Sequence, residues 1–310
     1  MDPRFFHLAG FELPPYFTML AVGLLLAIFL ARRWAARSGL SPARMLDFGI
    51  LMVVLGVVGS KILHIFADGY FWDYVNVCID PAKVNWKVDE RECRAIKAVW
   101  DSAAGLCHPA QKNCLAWASG SGFAYYGGLL AAGIFSVWFI RKHQWPAGKV
   151  CDMGGWTIPL GLAWGRMGCF LAGCCFGGHT NCAVGVSFPP GSAASRSQWG
   201  EGLLHSYRLE SLPVHPTQLY ESAASLLIAA VAYFIVRPRK TFDGQVFIFS
   251  MTAYGIARFL IEFLRRDDRG GFAGLSTSQW LAIVILMLCG YLWIVFRNRA
   301  RREMNGSHRV

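Results

Sequence analysis

The sequence predicts an all-α polytopic membrane protein, with seven transmembrane helices and a small external head. Three observations lead there. Hydrophobic residues make up 55% of the chain and charged residues only 16%, a balance outside the range of water-soluble domains. Residues 13–31, 113–140, 167–194 and 270–296 contain no Asp, Glu, Lys or Arg, and each can hold the ~20 apolar residues that cross a hydrocarbon core of about 30 Å. The lysines and arginines gather in short connections between apolar runs, as they do on the cytoplasmic side of a membrane.

Taken in order, the first helix is expected at about 14–31. Its positive flank, "ARRWAAR", follows the apolar run with no small-residue cleavage site, so it reads as a retained span and not as a cleaved signal peptide. The second (about 45–66) carries Lys61 and His64, and the third (about 123–140) opens on "AYYGGLL". The fourth (about 150–173) contains Arg166, and the fifth (about 217–236) follows "HPTQLY". The sixth (about 245–264) holds Arg258 and Glu262, and the seventh covers about 278–296. Seven spans put Arg32, Arg33, Arg37, Arg44, Arg141, Lys142, Lys149, Arg237, Arg239, Lys240 and the "RNRARR" tail on one side, the cytoplasm. The N-terminus is then outside.

The expected organisation is residues 1–66 as the first two spans, 67–122 as an external, periplasmic head, and 123–310 as helices 3–7 with an external loop at 174–216 and a cytoplasmic tail. The head is polar and mixed in charge, with a short helix expected over 89–100. Four of the ten cysteines, Cys78, Cys93, Cys107 and Cys114, fall in it, where thiols oxidise; three pairings are open to them. "CCFGGHTNC" does not have standard zinc-ligand spacing, so no metal is expected. The net charge of +11 is spread over cytoplasmic loops with no aromatic-interleaved basic stripe. It suits membrane lipids, and no nucleic acid is expected as a partner.

Depth along each helix follows from the rise of 1.5 Å per residue: Arg166 lies about 24 Å and Arg258 about 20 Å above the cytoplasmic entry. Tyr16, Tyr126, Lys61 and the string His215, Gln218, Tyr220, Glu221 are expected at the same outer depth. An arginine within a membrane costs about 2.5–3.5 kcal/mol on insertion scales and usually marks a site. Tyr254, Arg258 and Glu262 recur every fourth residue and share a helix face. Arg166 has no acid within reach on its own helix, so three cations (Arg166, Arg258, Lys61) are expected to outweigh their carboxylates and hold an anion. A lipid phosphate suits the planar guanidinium fork. Gly127, Gly128, Gly165, Gly168 and Gly177 are expected to permit close approach of helices or of a ligand to the backbone.

Six strings, "GRMGCFLAGCCFG", "HPTQLYE", "YGIARFLIEFLR", "YYGGL", "KVCDMGGWTIPLGLAWGR" and "YFTMLAVG", together resemble the prolipoprotein diacylglyceryl transferases. The resemblance implies transfer of a diacylglyceryl group from phosphatidylglycerol to the lipobox cysteine of preprolipoprotein signal peptides. A thioether forms and glycerol phosphate is released, with no cofactor. It implies a location in the bacterial cytoplasmic (inner) membrane. It places the signature arginine on Arg166, the second arginine on Arg258 with Glu262 as its partner, the sixth-helix tyrosine on Tyr254, the N-terminal tyrosine on Tyr16, and the family aspartate on Asp152. The ruler puts Asp152 near the cytoplasmic face, in a structural role. Tyr126 stands where the family has a histidine, and Cys169 and Cys174 replace an asparagine and a glutamate. Tyr126, Glu262 and His215 are all open as the base for the acceptor thiol. The alternatives are a transferase of the same fold with another acceptor, or a non-enzymatic lipid-binding membrane protein.

Overall fold

A computed structural model describes residues 6–8, 11–13, 15–67, 69–86, 90–95, 97–114, 122–265 and 271–307. Parts of the expected head and of its 89–100 helix (68, 87–89, 96, 115–121), of the loop after the sixth helix (266–270) and of the tail (308–310) lie outside the described residues. The chain divides into two compact units, residues 1–46 with 145–310, and residues 47–144.

The first unit opens with an antiparallel hairpin, β1 (Phe6–Leu8) and β2 (Phe11–Leu13), which pairs Phe6 with Leu13. Helix α1 (Pro15–Arg37) follows. It outruns the expected end at residue 31 because "RRWAAR" has no helix breaker before Gly39, which takes a left-handed φ of 73°. Helix α2 (Pro42–Ala67) carries the chain into the second unit.

In the second unit come α3 (Phe71–Ile79), α4 (Glu90–Ala95), the hairpin β3 (Val99–Asp101) with β4 (Leu106–His108), and α5 (Tyr125–Lys142). The expected helix over 89–100 is therefore short and gives way to a strand at Val99. Helix α3 was not foreseen. Disulfides join Cys78 to Cys114 and Cys93 to Cys107, one of the three pairings left open.

Helices α2 and α5 meet through glycine. A Cβ at Gly127 would strike Gly59 O and Leu63 Cβ, and one at Gly128 would strike Ser60 Oγ and Gly56 O. Of the two expected uses, close approach of helices or of a ligand, these two glycines serve the backbone contact between helices. Lys61 is likewise committed inside its own unit. Its ammonium is 2.9 Å from the Tyr74 hydroxyl and 3.4 Å from Gly122 O, and it faces the Tyr74 and Phe123 rings. Tyr126 is exposed on α5 and packs edge-on against Tyr125.

Back in the first unit lie α6 (Ala147–Leu171), α7 (Ala193–Gly200), α8 (Thr217–Val231), α9 (Gln245–Glu262), the hairpin β5 (Gly271–Phe272) with β6 (Leu275–Ser276), and α10 (Thr277–Ser307). Helix α8 continues through a π-helical turn, Ala232–Val236, and a 3-10 turn, Arg237–Arg239. Helix α6 is the centre, packing against α1, α8 and α9, while α9 also packs on α8 and α10. Asp152 ties α6 to the start of α9: its Oδ1 accepts from Val246 N–H (2.8 Å) and its Oδ2 from Lys240 Nζ (2.8 Å).

Four described helices are long and apolar enough to cross a membrane: Pro15–Arg37, Pro42–Ala67, Thr217–Arg239 and Thr277–Arg302. They leave large side chains exposed, Ile50 on α2, Leu227 at 65% on α8 and Met287 at 63% on α10 among them. In water such surface would drive association; against lipid it is the solvated face. This is a membrane protein. Glycines, arginine and glutamate dilute the apolar content of α6 and α9, which carry Arg166 and the stripe Tyr254, Arg258, Glu262.

Candidate functional site

The site is assembled where α6, α8, α9 and the start of α10 converge. Arg166 sits in the last two turns of α6. Across from it, α8 begins after His215 and Pro216, whose fixed φ suits a helix entrance. This puts Gln218 and Glu221, three residues apart, on one face. Both are buried, at 1% exposure each. Glu221 Oε1 lies 2.9 Å from Arg166 Nη2 and accepts a hydrogen bond of 2.6 Å from the Tyr254 hydroxyl of α9.

One turn further along α9, Arg258 pairs with Glu262 at 2.7 Å, close enough for an ion pair though off the hydrogen-bonding line. Glu262 Oε1 accepts from the Ser276 hydroxyl at 2.8 Å, and Arg258 Nη2 reaches Ser278 Oγ at 3.5 Å. The hairpin before α10 thus fixes the acid.

Arg166 has no acid on its own helix, as expected, but it does have a carboxylate partner. The nearest acid is on another helix, which spacing within one helix could not reveal. A further buried cation lies close by. Arg265 is buried and donates from Nη1 to Cys175 O at 3.0 Å, in the loop after α6. Arg166 Nε and Arg258 Nη1 are buried donors with no hydrogen-bond partner among the described residues, and Gln218 Oε1 is a buried acceptor in the same condition. Such groups cost about 1–3 kcal/mol each unless a ligand or water satisfies them.

The loop after α6 is held from several sides. Gln218 Nε2 donates to Cys174 O at 2.7 Å, and Thr217 Oγ1 to Cys175 O at 3.0 Å. Gly177 and Gly178 N–H groups donate to His215 O and Leu264 O, each at 2.8 Å. Both N–H groups are thus bonded within the protein. A Cβ at Gly177 would meet Leu264 O at 2.6 Å, so this glycine serves close packing. Gly168 has the same use, its missing side chain admitting Tyr16 O of α1 at 3.0 Å, whereas at Gly165 only Leu20 Cδ1 comes near, at 3.6 Å. Tyr16 therefore lies beside the signature turn. His215 Nδ1 is 3.4 Å from the Tyr220 hydroxyl.

A model of the prolipoprotein diacylglyceryl transferase family matches residues 3–295. The chain belongs to that family. The phosphatidylglycerol–prolipoprotein diacylglyceryl transferase of Clostridium tetani is 27% identical over 96% of this chain and 99% of its own length. The enzyme named transferase 2 in Clostridium perfringens is 25% identical over 95% of both chains. The Polaromonas naphthalenivorans enzyme is 33% identical over 59% of this chain and 63% of its own. Two groups, Arg166–Glu221–Tyr254 and Arg258–Glu262–Ser276, meet along α9, which carries Tyr254, Arg258 and Glu262. Sequence reasoning missed Arg265, Ser276 and Ser278. Arg265 ends the string "YGIARFLIEFLR", one residue past the expected sixth helix, and its position there was the available signal.

Proposed function

We propose that the chain transfers the diacylglyceryl group of phosphatidylglycerol to the cysteine thiol of a preprolipoprotein, with the Arg166–Arg258 cluster as the catalytic centre. The observation that carries this reading is the pair of buried guanidinium groups from α6 and α9, each with an N–H left over after its carboxylate is accounted for. A phosphodiester supplies the acceptor oxygens these donors lack, and its glycerol hydroxyl suits the open acceptor Gln218 Oε1.

In the reaction the acceptor sulfur, as thiolate, attacks the diacylglyceryl carbon bonded to the phosphate oxygen. A C–S bond forms, the C–O bond breaks, and the electron pair leaves on the phosphate of glycerol phosphate. Charge concentrates on that phosphate in the transition state, where Arg166 and Arg258 are already positioned. Glu221 and Glu262 hold the two guanidiniums, and the Tyr254 hydroxyl fixes Glu221. Of the three bases considered, Glu262 has Oε1 bonded to Ser276 and keeps Oε2, 2.7 Å from Arg258 Nη2, without a hydrogen-bond partner among the described residues, and that oxygen can take the thiol proton.

The supporting picture is a seven-span protein of the bacterial inner membrane, N-terminus outside. Residues 67–122 form the periplasmic head, and signal peptides reach the cluster from the outer leaflet. The test is complementation of a strain depleted of its own transferase, with the lipid mass on a reporter lipoprotein measured alongside. Growth and the diacylglyceryl mass are expected with the unaltered chain and lost, by about 100- to 1,000-fold in rate, with Arg166→Ala or Arg258→Ala. A well-expressed unaltered chain that leaves the reporter unmodified would overturn the assignment.

A further inference from the structure

Beside the anion site the chain brings together three thiols that the transfer reaction does not use. The Sγ atoms of Cys169, Cys174 and Cys175 all lie within 4.8 Å of one another. Cys169 is buried in the last turn of α6, and the other two are half-buried in the turn that follows. Gly173 and Cys175 both take left-handed φ values, 68° and 63°. For cysteine this conformation costs about 1–2 kcal/mol. It is held by Thr217 and Arg265 on Cys175 O, by Gln218 on Cys174 O, and by the Cys174 N–H to Cys169 O bond of 3.1 Å. The strain folds the thiols of residues 174 and 175 back onto Cys169.

Disulfide pairing does not account for the group, because three thiols at one point leave one over. In the head, by contrast, four cysteines form two bridges. Sulfurs bound to one zinc ion at 2.3 Å sit about 3.8 Å apart, so small χ1 rotations bring these three into a coordination sphere. Thiolate donors without carboxylate or imidazole select soft d10 ions over magnesium or calcium. Three thiolates around a mono- or divalent ion carry net negative charge. Arg265, bonded to Cys175 O, and Arg166, one turn before Cys169 on α6, supply the opposite sign.

We propose that Cys169, Cys174 and Cys175 bind a single thiophilic d10 metal ion, zinc(II) or copper(I), in a three-thiolate site. Metal binding here stands apart from the lipid transfer and holds whichever acceptor the enzyme uses.

The experiment takes the full chain, purified in detergent under reducing conditions, and adds zinc(II) or copper(I) in separate arms against a chelator of known affinity. Bound metal is counted by elemental mass spectrometry. One ion retained per chain in either arm is expected, and the responsive arm identifies its charge. Cys169→Ser, Cys174→Ser and Cys175→Ser should each lose the ion, while Cys182→Ser, which changes an exposed thiol outside the group, should keep it. A readout on the unaltered chain guards against variants that misfold. The ion should slow alkylation of these three thiols and leave Cys182 as reactive as before. Failure to retain either ion overturns the proposal, as does equal alkylation with and without metal, or a disulfide among the three in chain extracted without reductant. Each of these leaves the transferase assignment untouched, because that rests on lipid mass.

Discussion

Arg166 and Glu221 come from helices separated by more than 40 residues, α7 among them, yet their charged atoms lie 2.9 Å apart with the glutamate side chain 2% exposed. A carboxylate buried that fully is stable only with its partner, and the same oxygen also receives the Tyr254 hydroxyl. The acid is thus the hinge on which the α6 and α9 halves of the site are hung.

Glu221→Ala leaves Arg166 buried against no charge. Breaking such a pair from one side costs about 3–5 kcal/mol, so a marked fall in unfolding temperature in detergent is expected together with loss of transfer. Arg166→Met combined with Glu221→Leu removes both charges and should recover much of the stability while staying inactive. Recovery of activity in the double variant would contradict the catalytic role of Arg166.

Tyr254→Phe removes one hydrogen bond to Glu221 and keeps the ring. A net loss of about 0.5–1.5 kcal/mol is expected, a rate reduction of roughly 10-fold or less. Arg258→Lys, which retains charge and loses the fork, should cost more, because one ammonium cannot serve both Glu262 and a phosphate. Single-turnover rates compared between the two variants check the order.

Asp152→Asn should lower stability and leave headgroup selectivity unchanged, since Asp152 serves Lys240 and Val246 and not the cluster. Burial works against the Lys240 charge, but the bonds to Asp152 and Asp243 outweigh it and hold the lysine pKa above its ordinary value. A raised folded-state pKa means that this contribution is fully present below the unfolded value of about 10.4 and is lost only as pH rises through the folded value. Unfolding midpoints should therefore show the Asp152→Asn deficit undiminished from neutral pH to about 10, narrowing only above that.

Replacing Cys93 and Cys107 by serine opens a loop of 14 residues. About 3 kcal/mol of stability local to the head should be lost, read as faster proteolysis within residues 67–122. Phosphatidylglycerol binding at the arginine cluster, measured in parallel, should be unaffected.

Several features were legible along the chain because they depend on near neighbours. The helical stripe Tyr254, Arg258, Glu262 follows from a four-residue period, and the Arg258–Glu262 contact is local to one helix. Of the four uncharged runs, 13–31 and 270–296 coincide with helices long and apolar enough to cross a membrane, whereas 167–194 holds only the end of α6, the loop after it and the start of α7. Residue spacing could not say that Glu221 belongs to Arg166, that Arg265 donates to the loop after α6, or that Gly127, Gly128 and Gly177 are spent on helix and loop contacts. Each depends on which helix packs beside which, and at what register. Hydrophobicity sets burial for an entire face, but a buried ion pair needs two side chains to meet within about 4 Å, a condition only the packed arrangement of α6, α8 and α9 satisfies. The sequence by itself determined an apolar, membrane-embedded chain with arginines inside its helices; the tertiary structure decided which acid neutralises which arginine, and hence which buried N–H groups are left without a protein partner.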